Sequence, residues 1–201
     1  MANLKVQNNL TVNGDIINNK MDYQLDQTIT VTDQSKVFIP VDFNKYDYKL
    51  VMLLAPTGGD ANMSIRCANN NVILAQNDRW IFQGNAASDS NTSSAVVWYR
   101  HQTNAGDGYI YLIDNVGAEG RYSDIKVELT WGRSTTNTIF YQSRASRTYA
   151  GNFEYKDASG MLYGGNELPN QLVVTNSSLS DTQLLNGYIR VYKRLAFGQT
   201  E

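Results

Sequence analysis

The chain has 201 residues, of which 42% are hydrophobic and 18% charged, and its formal net charge is −2. This length is typical of one domain, and the charge balance excludes a general nucleic-acid binder, which needs a basic surface. The apolar content argues against a disordered chain, and no run approaches the roughly 18 apolar residues that predict a membrane-spanning helix.

The first twenty residues repeat with a six-residue step. Leu4, Leu10 and Ile16 recur at this spacing, as do Val6 and Val12, with turn-forming Asn, Gly and Asp between them. A short β element of this kind is not stable in water alone, so it gains a core from stacked neighbours or from identical chains. With so few units, we expect sister chains to cover the apolar edge, through Leu4, Val6, Leu10, Val12, Ile16 and Ile17. The alternative is two ordinary edge strands with a chance repeat.

Beyond residue 22 the sequence predicts a series of short strands with turn residues between them. Residues 125–131 alternate most clearly between apolar and polar side chains, as a half-buried antiparallel strand does. Residues 50–55 are continuously apolar, which predicts burial on both faces, inside the domain or against another subunit. Further strands are predicted at residues 28–32, 37–41, 49–55, 62–67, 72–75, 80–83, 95–100, 108–113, 138–142, 153–156, 172–174 and 188–194.

Helix signals are almost absent. Residues 84–94 read as a long loop, and residues 180–185 as a single helical turn. Many short strands at fairly even spacing indicate a sandwich, jelly roll or barrel. We therefore expect an all-β protein: a short extended N-terminal stem over residues 1–22, and an antiparallel, jelly-roll-like β-sandwich head over residues 23–201.

The N-terminal segment NLKVQNNLTVNGDIINNK resembles the trunk repeats of bacteriophage tail and head fibre proteins, in which Leu-x-Val-x-Asn-Gly-type units precede a globular β tip. The resemblance covers the first twenty residues. The rest of the chain is similar only in being rich in Asn and Tyr and in its predicted all-β structure. It implies a homotrimeric virion protein that binds other virion proteins through its N-terminus. Its head would bind a host-surface polysaccharide or decorate the particle.

The cysteine content and the N-terminus indicate where the chain folds. The first residues contain no apolar core of a signal peptide, so we expect synthesis in a cytoplasm; the resemblance to phage fibres implies that this is a host cytoplasm and that the final location is the virion. The single cysteine, Cys67, excludes an intrachain disulfide and reads as a small buried apolar residue.

The sequence offers little for catalysis, and we expect neither an enzyme nor a cofactor. The sequence has one histidine, His101, and no Gly-x-Ser-x-Gly nucleophile elbow with which it could form a catalytic triad. It also lacks the several His and Cys residues that a zinc site needs. A glycoside hydrolase needs only two carboxylates, for which Glu154 and Glu167 are the best pair. Calcium could use acidic loop residues, although turn capping is the simpler interpretation and no metal site is predicted; these residues are Asp60, Asp78, Asp89 and Asp107.

Aromatic residues near Asn-rich loops are the best binding candidates, because sugar rings stack on aromatic rings while amides and Arg bond the hydroxyls. The glycan-binding candidates are Trp80, Trp98, Tyr99, Arg100, His101, Tyr109 and Tyr111. Tyr and Arg are also enriched at interfaces, and the interface candidates on one strand are Tyr188, Arg190, Tyr192 and Arg194. For any single aromatic, including Trp131, core or interface burial is the simpler interpretation. A stand-alone carbohydrate-binding module or lectin is the alternative function, and a glycan depolymerase the third.

Overall fold

The computed structural model describes residues 9–12, 15–18, 22–57, 63–74, 79–90, 93–104, 109–113, 122–132, 137–149, 152–163, 167–176, 179 and 181–199. Throughout these ranges the regular structure is β-strand, and no helix there is long and apolar enough to span a membrane. The strands are β1 (Asn9–Val12), β2 (Asp15–Asn18), β3 (Gln24–Gln34), β4 (Lys36–Pro40), β5 (Tyr46–Thr57), β6 (Met63–Asn69), β7 (Val72–Ile73), β8 (Arg79–Ser90), β9 (Ser93–Asn104), β10 (Tyr109–Ile113), β11 (Ser123–Trp131), β12 (Thr138–Tyr149), β13 (Asn152–Tyr163), β14 (Gln171–Asn176) and β15 (Leu184–Leu195).

Two antiparallel sheets pack face to face in the head. The larger has the order β3-β15-β5-β11-β12-β13-β8-β9, and the smaller has the order β10-β6-β14-β4, with β7 paired to β6. Eight strands, taken in chain order as β3, β4, β5, β6, β10, β11, β14 and β15, divide between the sheets in a fixed way. β3, β15, β5 and β11, which are the first, last, third and sixth, are neighbours in the larger sheet. β4, β14, β6 and β10, which are the second, seventh, fourth and fifth, are neighbours in the smaller sheet. This is a jelly roll, so the predicted jelly-roll-like sandwich is confirmed.

The core lies between the facing surfaces of the two sheets. Alternate residues of the central strands point into it and are fully buried, among them Leu50 and Met52 of β5, Val127 of β11, and Ile65 of β6. Cys67 is also buried, as predicted. Each such aliphatic side chain contributes roughly 1.5–3 kcal/mol by leaving water, so this double layer of apolar residues holds the sheets together.

Burial on both faces is partial in β5 and extensive in β14. On β5, Leu50, Met52 and Leu54 are buried in the core, while on the outward side Ala55 is buried and Val51 and Leu53 are only partly covered. Within one chain the predicted burial of residues 50–55 on both faces is therefore incomplete, and cover by another subunit stays a prediction. In the smaller sheet, every residue of β14 from Leu172 to Asn176 is buried, although only part of that strand is apolar.

Two long hairpins extend the larger sheet beyond the jelly roll. The β12–β13 hairpin pairs with β11, and the β8–β9 hairpin pairs with β13; we call these four strands the sheet extension. The predicted loop at residues 84–94 is wrong, because β8 continues to Ser90 and β9 begins at Ser93. Small residues such as Gly84 have little intrinsic preference for strands, but pairing on both sides overrides that preference. Of the helical turn predicted at residues 180–185, the structure has a turn at residues 181 and 182, but β15 already begins at Leu184.

The N-terminal segment contains a separate two-stranded sheet. β1 pairs antiparallel with β2, with Leu10 opposite Ile17 and Val12 opposite Asp15. Among the described strands, neither pairs with a strand of the head. Leu4 and Val6 lie outside the described residues. Alternation along each strand puts positions 10, 12, 15 and 17 on one face of this N-terminal hairpin and position 16 on the other, so Ile16 does not share the face of the other predicted contact residues on these strands.

Candidate functional site

The outer face of the sheet extension, directed away from the core, carries a group of polar and aromatic side chains. The Arg144 guanidinium lies 3.6 Å from the Asp157 carboxylate and 5.8 Å from the centroid of the Tyr155 ring. The Tyr155 hydroxyl donates to the same carboxylate at 3.4 Å. Arg144 is exposed, so the ion pair is worth at most about 1 kcal/mol, and all three groups remain open to a ligand.

The strand register continues this outer face onto the β8–β9 hairpin. Asp157 is opposite Asn85, which is opposite Trp98; Ser159 is opposite Gln83, which is opposite Arg100. Directly opposed residues lie on the same face of a sheet. Two rows therefore cross the outer face: Arg144, Asp157, Asn85 and Trp98 in one, and Gln142, Ser159, Gln83 and Arg100 in the other.

The register divides the seven predicted glycan-binding residues into three groups. Positions 98 and 100 belong to the outer face. Position 99 is opposite Gly84, which is opposite the buried Ala158, so it belongs to the core-side face. The same alternation assigns Trp80 and His101 to the core-side face. Tyr109 and Tyr111 lie on β10, in the smaller sheet.

The residue types at the positions of the two rows offer several kinds of hydrogen-bonding group and one aromatic ring. Side-chain amides provide both donors and acceptors, a guanidinium provides several donors in a fixed fork, and a carboxylate accepts. An aromatic ring covers the apolar face of a pyranose. Of the charged side chains described on this face, Arg144 and Asp157 are paired with each other.

The predicted interface strand, β15, brings its candidates to a second part of the outer face. Ile189 and Val191 point into the core, as their alternation predicts. Tyr188 is half-buried, and the exposed Arg190 places its guanidinium 5.3 Å from the Tyr188 ring centroid. Together with the partly covered Val51 and Leu53 these residues form a mixed apolar and cationic surface.

The last interface candidate on that strand, Arg194, interacts with residues of its own chain. Its Nε donates to Asp47 at 3.3 Å, and its guanidinium lies 4.6 Å from the ring centroid of Tyr23. Asp47 is nearly fully buried, so the pair neutralises a charge that burial would otherwise penalise. Burial raises the pKa of Tyr23 to about 12, against the opposing effect of Arg194. Arg194 thus fixes the start of β3, at the junction with the N-terminal segment.

The acidic residues considered for catalysis and metal binding lie in separate elements. Glu154 belongs to β13, whereas Glu167 precedes β14 and accepts a 3.5 Å hydrogen bond from the Asn69 amide. Asp60, Asp78 and Asp107 lie outside the described residues, and Asp89 belongs to β8 rather than to a loop. Within the described ranges, no three His, Cys, Asp or Glu residues come together as a metal site would require.

An amide cluster that the sequence does not predict joins the β6–β7 turn to the start of β14. Asn70 and Asn71 both have positive φ, of 51° and 65°, as the two central residues of a tight hairpin turn require. The side chain of Asn170 accepts from the Asn70 N–H at 3.1 Å and donates to its side-chain oxygen at 3.1 Å. Gln171 does the same with Asn71, at 2.6 and 2.8 Å. The run Asn69-Asn70-Asn71 signals the turn, but nothing local to it indicates the distant partners.

Comparisons of the chain with protein-family models, with curated proteins and with solved structures found no match.

Proposed function

We propose that the protein is a bacteriophage virion structural protein: a short trimeric spike that attaches to the particle by its N-terminus and presents a jelly-roll head. The observation that carries the proposal is the separate N-terminal hairpin. Its Leu10, Val12 and Ile17 positions share one face with Asp15 at its turn end, and the described strands of the head do not pair with it. An isolated two-stranded hairpin is marginal in water, so an apolar face of this kind is stabilised when copies of the chain pack it together.

The trimer is tested by measuring mass in solution. At low concentration we expect the full chain to sediment at three times its 22.5 kDa mass, and the double variant Leu10→Ser/Ile17→Ser to sediment as one chain at that same concentration. The unfolding temperature of the head should change little, because the hairpin is a separate sheet. Leu25→Ser, which removes an exposed leucine from the head, is the matched control and should remain trimeric. A wild-type chain that stays single at high concentration contradicts the proposal.

We further propose that the head binds a host-surface glycan through the outer face of the sheet extension. The supporting observation is the pair of register rows that gather Trp98, Arg100, Asn85 and Gln83 beside the described Arg144, Tyr155 and Asp157. Jelly rolls occur among both viral capsid proteins and lectins, so the fold accommodates this role without itself arguing for it.

Glycan binding is tested on a glycan array and on purified host-surface polysaccharide. Trp98→Ala should weaken binding at least tenfold, which corresponds to about 1.4 kcal/mol, because it removes the aromatic surface at the end of its row. Phe197→Ala, which removes a ring that is 83% exposed elsewhere in the head, should bind as the wild type does. Equal binding by Trp98→Ala and wild type would contradict this site. A single chain that binds glycans would favour a stand-alone lectin over a virion spike.

A further inference from the structure

Among the described strands of the head, four end the two sheets, and three of these edges carry features that block pairing with another strand. β3 breaks register with β15 at two points and carries Asp26 and Asp33. β4 has five residues and includes Lys36 and Pro40, and β10 has five residues with a register break. Short strands, bulges, charges and proline are the means by which proteins protect an edge from pairing.

The fourth edge, β9, is long and unbroken, and its one charged residue is Arg100. It runs for 12 residues, pairs with β8 without a register break, and contains no Pro, Lys, Asp or Glu. Its sequence, SSAVVWYRHQTN, is rich in the β-branched and aromatic residues that favour strands. Among the described strands only β8 pairs with it, so the other side of its backbone presents a row of N–H and C=O groups about 40 Å long.

We infer that β9 is an assembly edge, where it pairs antiparallel with β9 of a second copy of this chain. The occupant is a second copy because β9 is the one described edge that accepts a long strand. Pairing β9 with β3, β4 or β10 of another chain would meet the bulges, charges and proline described above. An isologous contact between two β9 strands avoids all of them and joins two eight-stranded sheets into one.

The charge pattern of β9 is compatible with self-pairing. A two-fold axis perpendicular to the sheet places one residue of β9 directly opposite the same residue of the other copy. The two strands overlap over nearly their full length when this residue is Trp98 or Tyr99. In the first register Arg100 is opposite Val96 of the other copy, and in the second it is opposite Trp98. Neither register opposes Arg100 to itself, so the like-charge repulsion that destabilises directly opposed pairs does not arise.

The test is a double variant that introduces like charges in both registers. In Val96→Lys/Gln102→Lys, the new lysine at 96 is opposite Arg100 when the axis passes through position 98. It is opposite the new lysine at 102 when the axis passes through position 99. The matched control is Ala87→Lys/Ile81→Lys, because these β8 residues are opposite Val96 and Gln102 and share their face. The control adds the same charge one strand inside the edge.

Sedimentation and hydrogen exchange of the full chain are the two measurements. We expect the wild-type particle to double in mass with rising concentration, and exchange within residues 93–104 to slow as it does. The edge variant should lose the doubling, its association weakened at least tenfold, while the control retains it. Leu10→Ser/Ile17→Ser should still double, from one chain to two, so this inference and the trimer proposal fail separately.

Three results would overturn the inference: a wild-type particle that never doubles, an edge variant that doubles like wild type, or equal loss of doubling in edge variant and control. In the first case, slow exchange in β9 at every concentration would show that another segment of the same chain covers the edge.

Discussion

Gly187 shows how one residue is fixed by the backbone of its neighbour. Its φ is +135°, and a Cβ at this position would lie 2.0 Å from the carbonyl oxygen of Leu53 on β5. The residue lies where β15 breaks register with β3 while continuing its pairing with β5. Only glycine accommodates both the backbone conformation and the close approach.

We expect Gly187→Ala to lower the free energy of unfolding by about 3 kcal/mol or more, because β15 must move away from the central strand β5. Gly132→Ala is the matched control. A Cβ there meets the Phe140 ring at 2.6 Å, but that ring is 46% exposed and can rotate away. Its loss should be below about 1 kcal/mol. Denaturant unfolding measures both, and equal losses would refute this account of Gly187.

Among the elements, the β6–β7 hairpin depends most on a distant partner. Asn70 and Asn71 supply the left-handed turn, and Asn170 and Gln171 satisfy the amides that the turn leaves unpaired. The Asn170 backbone also accepts from Val41 at 2.9 Å, so the amide cluster connects the turn to both β14 and the end of β4.

Asn170→Ala should therefore destabilise the head by roughly 1–2 kcal/mol, the cost of leaving paired amide groups without partners. The change should speed hydrogen exchange at the β6–β7 turn more than elsewhere. Asn44→Ala, at an exposed asparagine in another turn, controls for the loss of an amide side chain. Unchanged exchange at the turn in Asn170→Ala would mean that the amide cluster does not hold it.

The strands that could be predicted from the sequence were those with strong local alternation. Residues 125–131 and 188–194 belong to β11 and β15 because apolar and polar side chains alternate there. The second half of β8 could not be found this way, because Gly84, Ala86 and Ser88 take their conformation from the strands on either side. In the β12–β13 pairing Tyr149 is opposite Asn152, and the same register puts Arg144 opposite Asp157.

The candidate site was predictable only in part, because face assignment depends on register. The run Trp98-Tyr99-Arg100-His101 looks like one cluster in the sequence, yet alternation assigns adjacent residues to opposite faces. Which face lies outward follows from β13, where Ala158 is buried and Ser159 exposed. No pattern local to β9 carries that information.

At the scale of the whole molecule, the sheet extension changes what the jelly roll can present. Half of the larger sheet belongs to the two inserted hairpins, so its outer face is about twice as wide as four jelly-roll strands would make it. The proposed glycan rows and the proposed assembly edge both belong to this added half. The N-terminal hairpin precedes β3, at the other end of the same sheet.

The pH dependence of folding also belongs to the whole molecule, because buried tyrosines tie several elements together. Burial raises the pKa of Tyr48 to about 12, and the pKa of Tyr23 to about 12 likewise; burial also raises the pKa of Tyr141 on β12. A raised pKa means that the folded state holds the proton more tightly than the unfolded state. The stabilisation is complete below about pH 10, the ordinary tyrosine value, and is lost as the pH rises toward 12.

We therefore expect a steep loss of stability between about pH 10 and pH 12, accompanied by tyrosinate absorbance that appears as the chain unfolds. Tyr48→Phe should make this loss shallower, because one of the titrating groups is gone. At neutral pH the same variant should be less stable by about 1 kcal/mol, since the Tyr48 hydroxyl accepts a 2.6 Å hydrogen bond from the Asp42 N–H. Tyr122→Phe, at a ring that is 52% exposed, controls at neutral pH for the loss of a hydroxyl. If Tyr48→Phe lost stability with the same slope as wild type, burial of this phenol would not contribute to the alkaline transition.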